Sequence, residues 1–204
     1  MKAKNYLATY RTLFALLGFS AIVTEIAVLT ERGVFAPENF FSFFTIESNI
    51  LAVVSLLLGA LFAFAKIKSR KLDFFRGAVT LYMVVTGIVF AVLLSGLENA
   101  QLTAVPWDNI VLHYIMPIVI ALDWFMDPPK KRFTMKKALL WLAFPIAYLG
   151  YSLIRGPIVE WYPYPFLDPT NGGYGQIAIT SVAIAVLGIL LVTIITRFPS
   201  KRAQ

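Results

Sequence analysis

Two side chains in this sequence have the types needed for acyl transfer: Thr45 and the single histidine, His113. A threonine hydroxyl is a poor nucleophile until a base takes its proton. Imidazole is the side chain best matched to that task near neutral pH. Other polar residues are placed to assist them. Thr45, Ser48 and Asn49 fall at i, i+3 and i+4, so they share one helix face. From there Asn49 is expected to donate a hydrogen bond to an oxyanion. The plainer role for Ser48 and Asn49 is hydrogen bonding between helices. Glu47, two positions from Thr45, points elsewhere. Glu47 or Glu25 is expected to orient the imidazole, as the acid of a triad does. His113 and Pro117 also share a face. The proline removes the amide that would bond the carbonyl of residue 113, which predicts a kink just below the imidazole.

The elements that position these groups are membrane spans. Of 204 residues, 59% are hydrophobic and 14% charged, and mean hydropathy is +0.75. A soluble domain carries about 45–50% apolar and about 25% charged residues. This composition excludes a disordered chain and argues against a soluble enzyme. No repeat of 20–50 residues marks a solenoid. The apolar stretches lack the alternation of barrel strands. A spanning helix needs about 20 mostly apolar residues. Six stretches qualify, at roughly 8–29, 41–65, 76–97, 108–126, 137–155 and 174–197. The expected fold is therefore all-α, one domain over 1–204, a bundle of six transmembrane helices. The first stretch follows Lys2 and Lys4 but is too long for a signal peptide and has no small-residue cleavage site, so it reads as a retained span. With no cysteine and one histidine, disulfides, thiolate sites and multi-histidine zinc or haem sites are excluded. No metal or cofactor is expected.

The basic residues set the orientation. Of the 18 Lys and Arg residues, all but Arg32 and Arg155 fall in the N-terminal segment, the loops after spans two and four, or the C-terminal tail. Arg11 and Arg76 are counted in that group. Both termini are then expected in the cytoplasm. The net charge of +7 is a topology signal, with binding to anionic lipid secondary. No nucleic-acid partner is expected.

With that orientation, Thr45 and His113 both lie about 6–8 Å below the outer boundary, at 1.5 Å per residue. Glu25, Tyr151 and Gln176 approach the same level from spans one, five and six. Asp123 is the exception, nearer the inner face. The outer segment 156–173 has four prolines and three glycines, which forbid a regular helix. Its Trp161, Tyr162, Tyr164 and Phe166 suit the headgroup level, and a lid over an intramembrane site is a second role. The Gly-Gly-Tyr-Gly run at 172–175 lacks the Lys-Ser/Thr of a phosphate loop.

Three segments carry a family resemblance: Phe-Phe-Thr-Ile-Glu-Ser-Asn-Ile-Leu (43–51), His-Tyr-Ile-Met-Pro (113–117), and Trp-Tyr-Pro-Tyr-Pro-Phe-Leu-Asp-Pro running to Gly-Gly-Tyr-Gly (161–175). In this order, within six spans, the chain resembles the prokaryotic Pr6Pr branch of the FAR-17a/AIG1-like family over nearly its whole length. The resemblance implies a multi-pass protein of the bacterial cell membrane. Animal members of the wider family hydrolyse fatty acid esters of hydroxy fatty acids with an intramembrane threonine and histidine. Their threonine matches Thr45, their histidine His113, and their Tyr-Pro-Phe-Leu-acid segment matches Tyr164 to Asp168. The implied function is a lipid-ester hydrolase acting on a lipid or fatty-acid ester, with membrane lipids as surroundings. A proton-coupled transporter using Glu25, Glu47, His113 and Asp123, and a non-catalytic lipid-binding protein, remain alternatives.

Overall fold

A computed structural model of the chain describes residues 2–96 and 103–197. Six helices are long and apolar enough to cross a membrane: α1 (Asn5–Glu31), α2 (Phe44–Phe64), α3 (Arg70–Leu94), α4 (Pro106–Met126), α5 (Met135–Val159) and α6 (Gly173–Arg197). The shortest has 21 residues, about 31 Å of helix, which matches a hydrocarbon core of about 30 Å. No strand occurs among the described residues. A one-turn helix, Pro37–Phe40, leads into α2. Two 3-10 turns, Pro165–Leu167 and Pro169–Asn171, join α5 to α6.

α2 packs between α1 and α3, and α3 packs against α4 and α6. The apolar core has two parts. One gathers Ala21, Val53, Leu112 and Met116 between α1, α2 and α4. The other gathers Leu81, Trp124, Trp141 and Val192 between α3, α4, α5 and α6. α5 meets α6 through its first turns, Met135–Leu142. Beyond them the two helices diverge, and the later part of α5 carries the exposed Ile146, Ile154 and Ile158.

Arg11 and Arg76 correct the loop count made from sequence. Both are buried inside the bundle. Asp123 sits between them, its Oδ1 2.6 Å from Arg11 Nε and its Oδ2 2.7 Å from Arg76 Nη2. Arg11 also donates to the Gly59 carbonyl at 3.0 Å. Asp127 receives Lys68 at 2.7 Å and Arg11 at 3.1 Å. Buried charges persist where each is paired and hydrogen-bonded. Asp123 is thus the counter-ion that ties α1 and α3 to α4. Its partners lie 112 and 47 residues away, too far for spacing to reveal them.

Asp127 follows α4 directly. Burial alone raises a carboxyl pKa. Here the hydrogen bond from Lys68 and the charges of Arg76, Lys68 and Arg11 outweigh it, so Asp127 is held below the usual carboxylate range.

Candidate active site

Thr45 is the second residue of α2, where backbone N–H groups have no partner within the helix. Its N–H instead donates to the Tyr164 hydroxyl at 3.1 Å. Its side-chain oxygen lies 3.3 Å from His113 Nε2 and 3.4 Å from the Tyr164 hydroxyl. Thr45 is 7% exposed and His113 3%.

The imidazole is fixed on three sides. Nδ1 lies 3.1 Å from the Asn109 carbonyl. A carbonyl only accepts, so in the neutral ring Nδ1 carries the hydrogen and Nε2 presents its lone pair to the Thr45 hydroxyl. The ring stacks on Phe90 at 4.0 Å and 24°. Locally, α4 is not a simple kinked helix. Residues Val111–Ile115 form a π-turn, with the Met116 N–H reaching the Val111 carbonyl. Pro117 cannot bond the carbonyl four residues back, and the wider turn accommodates that loss where a single residue is re-aimed. A second π-turn, Phe90–Leu94, carries the stacking phenylalanine. Gly87 lets α3 approach this point: a Cβ there would sit 3.0 Å from Pro117 Cβ and 3.4 Å from the His113 carbonyl oxygen.

Tyr164 comes from the loop after α5. That helix ends where Glu160 takes a left-handed φ of 53°, and the Pro-rich segment then folds back over the bundle. Tyr164 is buried, stacked on Phe166 at 5.1 Å and edge-on to Phe43 at 5.7 Å. Burial raises its pKa against the opposing hydrogen bonds with Thr45, so the phenol keeps its proton. Its oxygen accepts from the Thr45 amide, and its hydrogen is available beside Thr45 Oγ1.

The remaining residues singled out from sequence are placed less centrally. Asn49 is not the expected oxyanion donor: its Nδ2 donates to the Thr45 carbonyl at 2.9 Å and the Leu112 carbonyl at 3.1 Å, so both amide hydrogens tie α2 to α4. Ser48 bonds the Phe44 carbonyl at 2.7 Å and Thr86 Oγ1 at 3.0 Å, joining α2 to α3. Neither acid orients the imidazole, because the Asn109 carbonyl occupies Nδ1. Glu25 accepts the Ala104 N–H on both oxygens at 2.8 Å. Glu47 has a buried Oε2 with no hydrogen-bond partner among the described residues. Tyr151 is exposed and bonds Ser42 Oγ at 2.8 Å. Asp168 shapes the loop, its Oδ1 taking the Thr170 N–H at 2.8 Å and hydroxyl at 2.7 Å. Gln176 is exposed and reaches only Thr180, at 3.5 Å.

Sequence reasoning missed Phe90 and Asn109. One acts through a ring with no distinguishing neighbours and the other through its main chain, so neither leaves a sequence signal. Among the described residues no group of three His, Asp or Glu side chains could hold a metal ion.

Chemically, the arrangement offers a nucleophile, a base of defined tautomer and a buried phenol donor. They stand at the N-terminus of α2, whose dipole favours developing negative charge. No family model matches the chain, and no curated protein or solved structure matches it either.

Proposed function

We propose that this protein is an intramembrane lipid-ester hydrolase in which Thr45 is the nucleophile and His113 the general base. The observation that carries this is the 3.3 Å approach of Thr45 Oγ1 to His113 Nε2, with Nδ1 anchored on the Asn109 carbonyl. The lysine and arginine distribution supports an orientation with both termini in the cytoplasm and the site in the outer leaflet. A bacterial cell membrane and membership of the Pr6Pr branch are part of the same proposal, resting on the three sequence segments named above.

In the reaction, Thr45 Oγ attacks the ester carbonyl while its proton passes to His113 Nε2. The tetrahedral oxyanion is met by the Tyr164 hydroxyl and the N-terminal end of α2. Collapse breaks the bond to the alcohol oxygen, which takes the proton from His113. The acyl group remains on Thr45. His113 then takes a proton from water, the resulting hydroxide attacks the acyl-threonine, and collapse returns the proton to Thr45 and releases the fatty acid. Asp123, the inner acidic group a proton path across the membrane would need, is held between Arg11 and Arg76.

The test is hydrolysis of a lipid-ester panel by purified protein, with Thr45→Ala and His113→Ala alongside. Turnover by wild type and its loss in both folded variants is the expected result. Wild-type turnover in folded Thr45→Ala, or no hydrolysis of any ester by wild type, overturns it.

A further inference from the structure

Two cavities meet at the reacting hydroxyl, and Thr45 and Tyr164 line both. The first, about 250 Å³, is an apolar groove between α3, α5 and α6. Leu81, Val85, Leu149 and Ile184 line it, and Ile146 and Ile189 on its walls are exposed on the lipid-facing surface. It lies where α5 and α6 diverge, so it opens sideways. The second, about 200 Å³, is a cup toward the loop end of α1, α2 and α4, with Glu25, Asn39, Thr103 and His113 in its wall.

His113 lines the cup and not the groove. That asymmetry assigns the two halves of an ester. The proton taken from Thr45 is handed to the departing alcohol oxygen, so the alcohol must lie on the imidazole side. The acyl carbon stays on Thr45, and its chain takes the opposite side, in the groove. Leu142 and Gly188 narrow the far end: a Cβ on Gly188 would stand 3.0 Å from Leu142 Cδ2. From Ser181 to Gly188 the groove follows about 10 Å of α6, the reach of a medium-length chain, so the far half of a long chain passes this point.

The cup also selects the alcohol. Glu25 faces it, and the fully buried Asp108 carboxyl lies against Glu25 without itself lining the cup. Two cations stand nearby, outside the wall: Arg32 on the Ala104 carbonyl at 3.1 Å, and Arg155 on Asn39 Oδ1 at 2.7 Å. Hydroxyl groups would find acceptors in this cup. A second carboxylate would have to leave water for a low-dielectric cup whose wall already carries the Glu25 carboxyl, with Arg32 and Arg155 engaged outside it.

We propose that the ester straddles Thr45, its acyl chain in the groove that narrows at Leu142 and Gly188 and its alcohol, a compact neutral polyol such as glycerol, in the acidic cup. This rests on the hydrolase reading and narrows its substrate class to acyl esters of a neutral polyol.

The test compares octanoylglycerol, palmitoylglycerol and the palmitoyl ester of a hydroxy fatty acid as substrates of the full chain. Wild type should prefer the glycerol esters. Gly188→Leu should lower kcat/KM for palmitoylglycerol about tenfold more than for octanoylglycerol, the effect of turning roughly two further methylenes back out of the groove. Glu25→Gln should narrow the gap between the glycerol and hydroxy-acid esters. An octanoylglycerol with a photoreactive chain end, added to Thr45→Ala, should crosslink to the Ile184–Ile189 stretch of α6. Equal effects of Gly188→Leu on both chain lengths, a preference for the hydroxy-acid ester, or crosslinking on the cup side overturns this assignment and leaves the hydrolase reading standing. No turnover of any ester by wild type overturns both.

Discussion

Replacing Tyr164 with phenylalanine removes one oxygen and leaves the ring. The ring contacts with Phe166 at 5.1 Å and Phe43 at 5.7 Å survive, so the loop keeps its packing. Two interactions are lost. One is the bond from the Thr45 amide, 3.1 Å long, which leaves a buried N–H unpaired at a cost of about 1–3 kcal/mol. The other is a hydroxyl whose oxygen lies 3.4 Å from Thr45 Oγ1, placed to donate to the oxyanion formed two bonds from that atom. Loss of a single oxyanion donor lowers kcat by about 10²–10³. The donor strengthens only as charge develops, so KM should change little. Steady-state kinetics on a lipid ester, with a melting curve of the same preparation, separates the two effects. A folded Tyr164→Phe protein with kcat within about threefold of wild type would refute the assignment of Tyr164 as an oxyanion donor.

Other perturbations have equally definite outcomes. Asp123→Ala leaves Arg11 and Arg76 buried without their shared partner and should destabilise the bundle by about 3–5 kcal/mol, read as a fall in melting temperature in detergent. Asn49→Ala should cost about 1–3 kcal/mol of stability through the two buried hydrogen bonds it loses, to the Thr45 and Leu112 carbonyls, while kcat of the folded fraction stays near wild type. Phe90→Ala removes the ring under His113 and should lower kcat without abolishing fluorophosphonate labelling of Thr45. For pH, the folded-state pKa of Asp127 is depressed, so its stabilisation is complete above the unfolded value of about 3.9 and is lost as pH falls through the lower folded value. Melting temperature should therefore drop in that acid window for wild type, and drop less for Asp127→Asn.

The six spans were legible because bilayer thickness imposes a length and an apolar composition on each one, and these are local properties of the chain. The helix ends moved by a few residues, most at α3, which begins at Arg70 rather than 76. The long Arg76 side chain is drawn inward by Asp123. Thr45 and His113 could be singled out because a hydroxyl and the lone imidazole stood at one depth. Their supports were harder to read. Asn49 carries the right group for an oxyanion donor, yet which carbonyls claim its hydrogens depends on how α2 meets α4. Glu25 is near the site, but Nδ1 of His113 is taken by a main-chain carbonyl that every residue possesses. Asp168 and Gln176 sit beside Tyr164 and α6 in sequence, and the direction of the folded loop carries them away from Thr45. Spacing along one helix predicts a face, whereas a site built from three elements depends on their packing.

The most direct measurement of the Thr45–His113 pair is the site and rate of covalent labelling by an alkyl fluorophosphonate, read by intact mass and peptide mapping. An activated threonine predicts one adduct per chain on Thr45, much slower labelling in His113→Ala, and none in Thr45→Ala. An unlabelled wild-type protein, or an adduct mapping elsewhere and persisting in folded Thr45→Ala, would contradict the dyad.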